Sequence, residues 1–311
     1  MTDFKQKNSL KKFLNAAMTY TLPPVTITRY LKLLVNADST PKDLGFHPEN
    51  RDPEFIKAAM KIMRPFFESY FRLEISGLEN LPATGSGLVV GNHNGGLEPV
   101  DTFIAAMEIM KHFGVERRVY GLGHDFIFRE SSLGEFVELL GGLRANNYAA
   151  HMAFALDSLV IVYPGGDLDT FRSFKNRDKI DFGGRKGFIK LALKEKVPVY
   201  PMVSAGAHET FFVLSRGEKI AEKLNFHKKL RTSVFPLVFS IPWGITSGFM
   251  PYIPLPSKIS IRFLEPIIWD DLSEKDAENS EVLEKCYSEV TEKMQKALTE
   301  MYKQRKYPIL G

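Results

Sequence analysis

The sequence predicts an α/β fold: a central, mostly parallel sheet flanked by helices, with N-terminal amphipathic helices and a C-terminal helix. Three observations lead there. Short apolar runs alternate with helix-period segments through the middle of the chain, the pattern of βα units. The runs "GLVVGN", "LVIVYP" and "VPVYPMV" are apolar at nearly every position, as in strands covered on both faces. The composition is that of a globular protein, 44% hydrophobic and 25% charged over 311 residues, and a chain of this length buries a substantial core.

The first segment reads as a helix. Leu10, Phe13, Leu14, Ala17 and Met18 fall at i, i+3, i+4, i+7 and i+8, with Lys7, Lys11 and Lys12 off that stripe. Pro23 and Pro24 break the pattern, and a short apolar helix follows over 27–35. The stripe suits a helix lying on anionic lipid or one packed on its own domain. After a polar linker over 36–52, a helix over 53–70 carries Phe55, Ile56, Ala59, Met60, Met63, Phe66 and Phe67.

Strands are then expected at "FRLEIS", "GLVVGN", "RVYGLG", "LVIVYP", "VPVYPMV" and "ISIRFL", with helices over 100–113, 133–140, 148–159 and 186–194. A last helix covers 279–302. The expected organisation is an N-terminal helical, membrane-associating segment (1–73), an α/β domain (74–270) and a C-terminal helical extension (271–311). Residues 232–257 contain no charged residue. Pro236, Pro242, Gly244, Gly248, Pro251, Pro254 and Pro256 would interrupt a spanning helix there. The stretch reads as core, or as an apolar loop that lines a pocket or touches lipid.

The net charge is +4, too mild to argue for nucleic acid. The excess lies in residues 1–40, where Lys5, Lys7, Lys11, Lys12, Arg29 and Lys32 face Asp3 and Asp38. One cysteine, Cys286, precludes an internal disulfide and fits a reducing cytoplasm. The N-terminus has no secretory pattern.

The stretch "VGNHNGGLEPVD" concentrates the chemistry. His93 falls in a strand-to-helix loop, where open α/β sheets bind ligands. Gly95 and Gly96 would let another molecule approach the backbone, and Glu98 and Asp101 sit at a helix start, where negative charge is favoured. Downstream come "LLGGLRANNYAA", "VIVYPGGDLDTFR", "VPVYPMVSAGAHETF" and "IPLPSKISIRFLEPI". No histidine pair has the H-E-x-x-H spacing of a metal hydrolase, "GLGHDF" lacks the third glycine of a dinucleotide site, and no G-x-S-x-G elbow is present.

In that order and spacing, over residues 74–268, the blocks resemble the lysophospholipid and glycerolipid acyltransferase superfamily, and most closely its monoacylglycerol-acyltransferase-like branch. The resemblance implies transfer of an acyl chain from acyl-CoA or acyl carrier protein to a lipid hydroxyl, without a resident cofactor or metal. It implies His93 as general base. Its N-H-x4-D-P pattern matches at Asn92, His93 and Pro99, with Glu98 in place of Asp. The P-x-D variant matches Asp101 instead, so Glu98 ranks first and Asp101 second as the partner acid.

By the same resemblance Arg144 positions the acceptor. Tyr163, Pro164, Gly165 and Gly166 stand where phosphate-using members carry F-P-E-G, and the backbone N–H groups around Gly165 and Gly166 would hold the thioester oxyanion. His208 and Glu209 would line the site. Asp167 and Asp169 read as acceptor-hydroxyl ligands or solvated loop acids. Arg172, with Lys175, Arg177, Lys179, Arg185 and Lys186, reads as a basic stretch that meets phosphates or as a solvated face. The implied partners are the thioester donor, a lipid acceptor and a membrane surface, with the protein held peripherally on the cytoplasmic side. The competing reading is a lipid-binding protein that keeps the pocket without turnover, or the same fold acting on a non-glycerol acceptor.

Overall fold

The computed structural model describes residues 43–96, 100–129, 131–226, 232–250 and 252–307. The expected helices within 1–40 lie outside these residues, as does Glu98.

Helix α1 (Pro53–Phe71) starts where Asp52 caps it, its carboxylate accepting from the Glu54 and Phe55 N–H groups at 2.9 and 3.0 Å. It ends at Arg72 in the left-handed region. The chain continues through β1 (Glu74–Ser76), β2 (Gly87–Gly91), α2 (Val100–Phe113), β3 (Val119–Gly123), α3 (Ser131–Leu139), β4 (Gly142–Arg144), α4 (Asn147–Phe154) and β5 (Leu159–Val162). Then come α5 (Gly166–Thr170), α6 (Gly187–Glu195), β6 (Val199–Ala205), β7 (Phe212–Ser215), α7 (Glu218–Lys223), β8 (Leu237–Ser240), β9 (Gly244–Ser247), β10 (Ser260–Phe263) and α8 (Ser280–Gln304).

The main sheet has seven strands in the order β1-β10-β6-β2-β5-β3-β4, all parallel neighbours except the antiparallel pair β10 and β6. All six expected strands are in it. The structure adds β4, whose three residues (GLR) carry too short an apolar run to read as a strand. Along β2 the side chains alternate between two cores. Leu88 and Val90 pack with α4, α6 and α8, while Val89 packs with α1 and α2. The result is three layers, helix on sheet on helix.

The expected division at 73/74 and 270/271 does not separate cores. Ile56, Phe67 and Phe71 of α1 belong to one central cluster, and Val290, Met294 and Leu298 of α8 belong to the other. Among the described residues no helix is long and apolar enough to cross a membrane. The charge-free stretch instead forms β8 and β9, which with β7 make a separate three-stranded antiparallel sheet. Beneath it Phe171, Phe211, Val213, Val234, Val238 and Tyr252 form a third core.

Candidate active site

The parallel register brings the carboxyl ends of β2, β5, β3 and β4 to one edge of the sheet, and His93 stands just beyond the end of β2. Its Nδ1 is buried and lies 3.5 Å from Oδ1 of Asp101, which is fully buried in the first turn of α2. The ring stacks on Tyr163, at the end of β5, with centroids 4.4 Å apart and planes at 27°. The His93 side chain keeps 18% of its surface exposed. With Nδ1 turned inward and one face covered by Tyr163, that exposure falls on the remainder of the ring. Burial of the Tyr163 hydroxyl, followed by the charge of Asp101, pushes its phenol well up, so it stays a neutral phenol at physiological pH.

The loop that carries His93 is clamped from several sides. Asn92 exchanges two hydrogen bonds with Ser204 of β6, donating to its carbonyl at 2.9 Å and accepting from its N–H at 2.8 Å. The His93 N–H donates to Oδ2 of Asp169. The Asn94 N–H donates to Oδ2 of Asp101 at 2.8 Å, and Oδ1 of Asp101 accepts from the Thr102 N–H at 2.8 Å. Thus the carboxylate facing the ring is itself oriented by two backbone donors. Arg172 closes the network: Nη1 pairs with Asp169, Nη2 donates to the Asn94 amide oxygen at 2.8 Å, and Nε donates to the Asn176 carbonyl at 2.8 Å. Burial pulls the Arg172 guanidinium down to about 10, still charged at neutral pH.

A family model described as diacylglycerol acyltransferase matches residues 48–309. The chain belongs to the diacylglycerol acyltransferase family. It is an acyltransferase that acts on lipids. An uncharacterised protein of Mycobacterium leprae is 31% identical over 286 residues, 92% of this chain and 74% of that protein. A Gallus gallus protein named as a DGAT1/2-independent enzyme synthesizing storage lipids is 31% identical over 166 residues, 53% of this chain and 47% of that protein. The crystal structure of the 1-acyl-sn-glycerophosphate (LPA) acyltransferase PlsC of Thermotoga maritima superposes with a TM-score of 0.50. At 17% identity, covering 99% of this chain and 100% of that one, it shows the fold alone.

Within this family member several expected ligand-facing residues are internal. Asn92 is fully buried and ties β2 to β6. Gly95 and Gly96 are buried at φ +90° and +68°, and the group that approaches Gly96 is the Phe211 ring, 2.4 Å from where a Cβ would sit. Arg144 ends β4, three strands from β2, a lateral distance of about 14 Å. It is buried, donates to the Leu44 carbonyl at 2.6 Å, pairs with Asp125 at 3.3 Å and lies over Phe46 and Phe128. Such an arginine braces the edge of the sheet.

The Gly166 N–H donates to the Tyr163 carbonyl at 3.0 Å, so it is not offered to an oxyanion. Gly165 packs so closely on Asp169 and Asp181 that a Cβ would overlap both, and half-buried Pro164 precedes it in the turn.

His208 and Glu209, expected as lining, have no exposed surface. The His208 Nε2 bonds the Arg172 carbonyl. Burial, then the charge of Arg172, pulls its imidazole down to about 3, so it is neutral in the folded protein. Glu209 pairs with Arg305, beyond α8, and lies 3.3 Å from Nε of Arg177. Burial pushes its carboxyl up despite these partners.

Asp167 pairs with Arg185 at 2.7 Å and accepts from the Ser233 N–H at 2.8 Å. Asp169 and Arg172 are buried as an i, i+3 pair, not solvated. That spacing in "DLDTFR" was the available signal for the pair. Nothing local marked its burial. Among the described residues no group of three His, Cys, Asp or Glu side chains could hold a metal ion.

Proposed function

We propose that this acyltransferase moves a fatty acyl chain from acyl-CoA or acyl carrier protein to the hydroxyl of a glycerolipid or related lipid alcohol, with His93 as general base and Asp101 as its partner. One observation carries the reading: a half-buried imidazole whose inner nitrogen faces a fully buried carboxylate at 3.5 Å. The Asp101 charge favours the ring's proton on Nδ1, a 3.5 Å contact that would shorten to a hydrogen bond with substrate bound, and leaves Nε2 to act as the base. Nε2 takes the proton of the alcohol as its oxygen attacks the thioester carbon. The tetrahedral oxyanion collapses with cleavage of the C–S bond, and the imidazolium returns the proton to the departing thiolate. No acyl-enzyme is needed. With the Gly166 N–H engaged, the oxyanion donor expected from this block is the N–H of Gly165.

A neutral glyceride acceptor of the monoacylglycerol-acyltransferase-like branch fits this chain best. Gly165 stands where phosphate-using relatives carry Glu, and Arg144 is held within the fold. The enzyme would work in the cytoplasm, on the inner surface of a membrane that supplies the acceptor.

The test is to incubate the purified full chain with labelled acyl-CoA or acyl carrier protein and a panel of mono- and diacylglycerols, lysophosphatidate and long-chain alcohols, and to weigh the product. A labelled neutral glyceride is expected. His93→Ala and Asp101→Asn should each lower kcat by at least about 100-fold with KM little changed. If His93→Ala turns over near the wild-type rate, the mechanism fails. If Asp101→Asn does while Glu98→Gln does not, the partner is Glu98.

A further inference from the structure

We infer that the outer face of the β7–β8–β9 sheet, with the β8–β9 tip, is the surface by which the protein docks on an anionic lipid bilayer. The inference deepens the peripheral-membrane part of the proposed function and rests on it, but not on the acyl-transfer chemistry.

An antiparallel sheet at a protein surface ordinarily turns apolar side chains inward and polar ones outward. The inner face here is conventional: Val213 and Val238 are paired in register and buried on the third core. The outer face is not. Register sets Phe212, Phe239 and Ile245 side by side across the strands, and Phe239 and Ile245 are 46% and 67% exposed. Exposed Leu237 lies along the same face of β8. The row continues past the strands through Ile241, which bridges to exposed Ile253, to Trp243 at the tip, 38% exposed. A contiguous apolar patch of this kind on a surface marks an interaction site.

The charge of the adjoining sequence chooses the partner. Between β7 and β8 the sequence carries six cations against two carboxylates; among its described residues Arg216 pairs with Asp181, and Lys219 and Lys223 are exposed. On α7, Lys219 and Lys223 are exposed beside exposed Ile220 and Leu224, all four at i, i+4 spacing. Residues 232–257, which build the face itself, have no charge to desolvate. A charge-free apolar face with a tryptophan at its tip and a basic flank fits headgroups above and acyl chains below. The depth is shallow, because the strands satisfy their own backbone groups only within the sheet.

The same sheet is tied to the His93 loop from beneath. The Tyr252 hydroxyl donates to the Gly95 carbonyl, and Phe211, against Gly96, stacks on Tyr252 at 4.6 Å and 11°. Docking through this face therefore fixes the position of that loop relative to the bilayer.

The chain has two tryptophans, so Trp269→Phe leaves Trp243 as the sole probe. The full-length chain is mixed with vesicles of phosphatidylcholine alone or with about 30% phosphatidylglycerol. The Trp243 emission should shift to the blue on the anionic vesicles, with a smaller shift on the neutral ones. The vesicle-bound fraction should fall about tenfold in the double variant Phe239→Ser, Ile245→Ser, and should fall again at low salt in Lys219→Glu, Lys223→Glu. Circular dichroism confirms that these surface variants are folded.

Unmoved Trp243 emission, or undiminished binding by the double serine variant, overturns the inference. So does a lipid-free dimer that Phe239→Ser and Ile245→Ser dissociate, since the face then belongs to a second copy. A chain that binds vesicles through this face but transfers no acyl group supports the docking face and overturns the proposed reaction instead.

Discussion

At the scale of single residues, the site divides into side chains whose identity announces a role and side chains whose role depends on burial. The place of His93, in a loop after a buried strand, was legible from the apolar run before it, and its expected role from the resemblance of the surrounding blocks. Its partner was not, since Glu98 and Asp101 are both carboxylates within reach in sequence. Asp101, one residue into α2, faces the ring, while Glu98 lies outside the described residues. The burial of Asp169, Arg172 and His208 was not legible for a physical reason. Charged side chains are usually solvated, and nothing in "DLDTFRS" or "GAHET" says that a third core will close over them.

The burial of His208 has a measurable consequence. Its imidazole is held down near about 3, whereas the unfolded chain protonates it near about 6.5. Below pH about 6.5 the unfolded state therefore takes up a proton that the native state refuses, and stability falls with pH by about 1.4 kcal/mol per unit until the folded value is reached. Above that range the group contributes no slope. His208→Gln keeps an N–H donor for the Arg172 carbonyl but cannot titrate. Relative to this variant, the wild type should lose about 2 kcal/mol between pH 6.5 and 5 in urea unfolding. Parallel curves for the two proteins would show that His208 is accessible to protons in the native state.

At the scale of elements, long periodic segments and buried strands were readable, whereas the small sheet was not. Its strands are only four residues each and are set among prolines and glycines. Alternation over so short a span is indistinguishable from an apolar loop. Yet the core beneath this sheet bears directly on the His93 loop. Gly96 is the contact point. Its φ of +68° already disfavours any L side chain, and a Cβ there would sit 2.4 Å from the Phe211 ring.

Gly96→Ala must therefore strain the backbone and displace either the loop or the ring. The expected cost is about 2–4 kcal/mol in unfolding free energy. Acyl transfer should fall more than stability alone accounts for, because His93 is three residues away. Wild-type activity in a folded Gly96→Ala protein would show that the loop is positioned from its other side alone.

At the scale of the whole molecule, amphipathic periodicity shows that a helix has a buried face but not what buries it. The apolar stripe of α8, from Leu283 through Cys286, Val290, Met294 and Leu298 to Met301, lies on the same face of the central sheet as α4 and α6. Phe67 and Phe71 of α1 lie on the opposite face. Glu209 and Arg305 fasten the end of α8 to the turn after β6.

Two helices read as appendages thus form the outer layers of one sandwich, and they should unfold with it. Met294→Ala and Phe67→Ala each remove a buried side chain from opposite layers, at an expected cost of about 2–5 kcal/mol. If the layers share one cooperative unit, each variant lowers the midpoint of the same single transition, whether it is followed by far-ultraviolet circular dichroism or by Trp269 fluorescence. If α1 or α8 were a separate module, its variant would split off an early transition and leave the main one in place. Retained vesicle docking through the β7–β8–β9 face during such an early transition would further show that the small sheet does not depend on that helix.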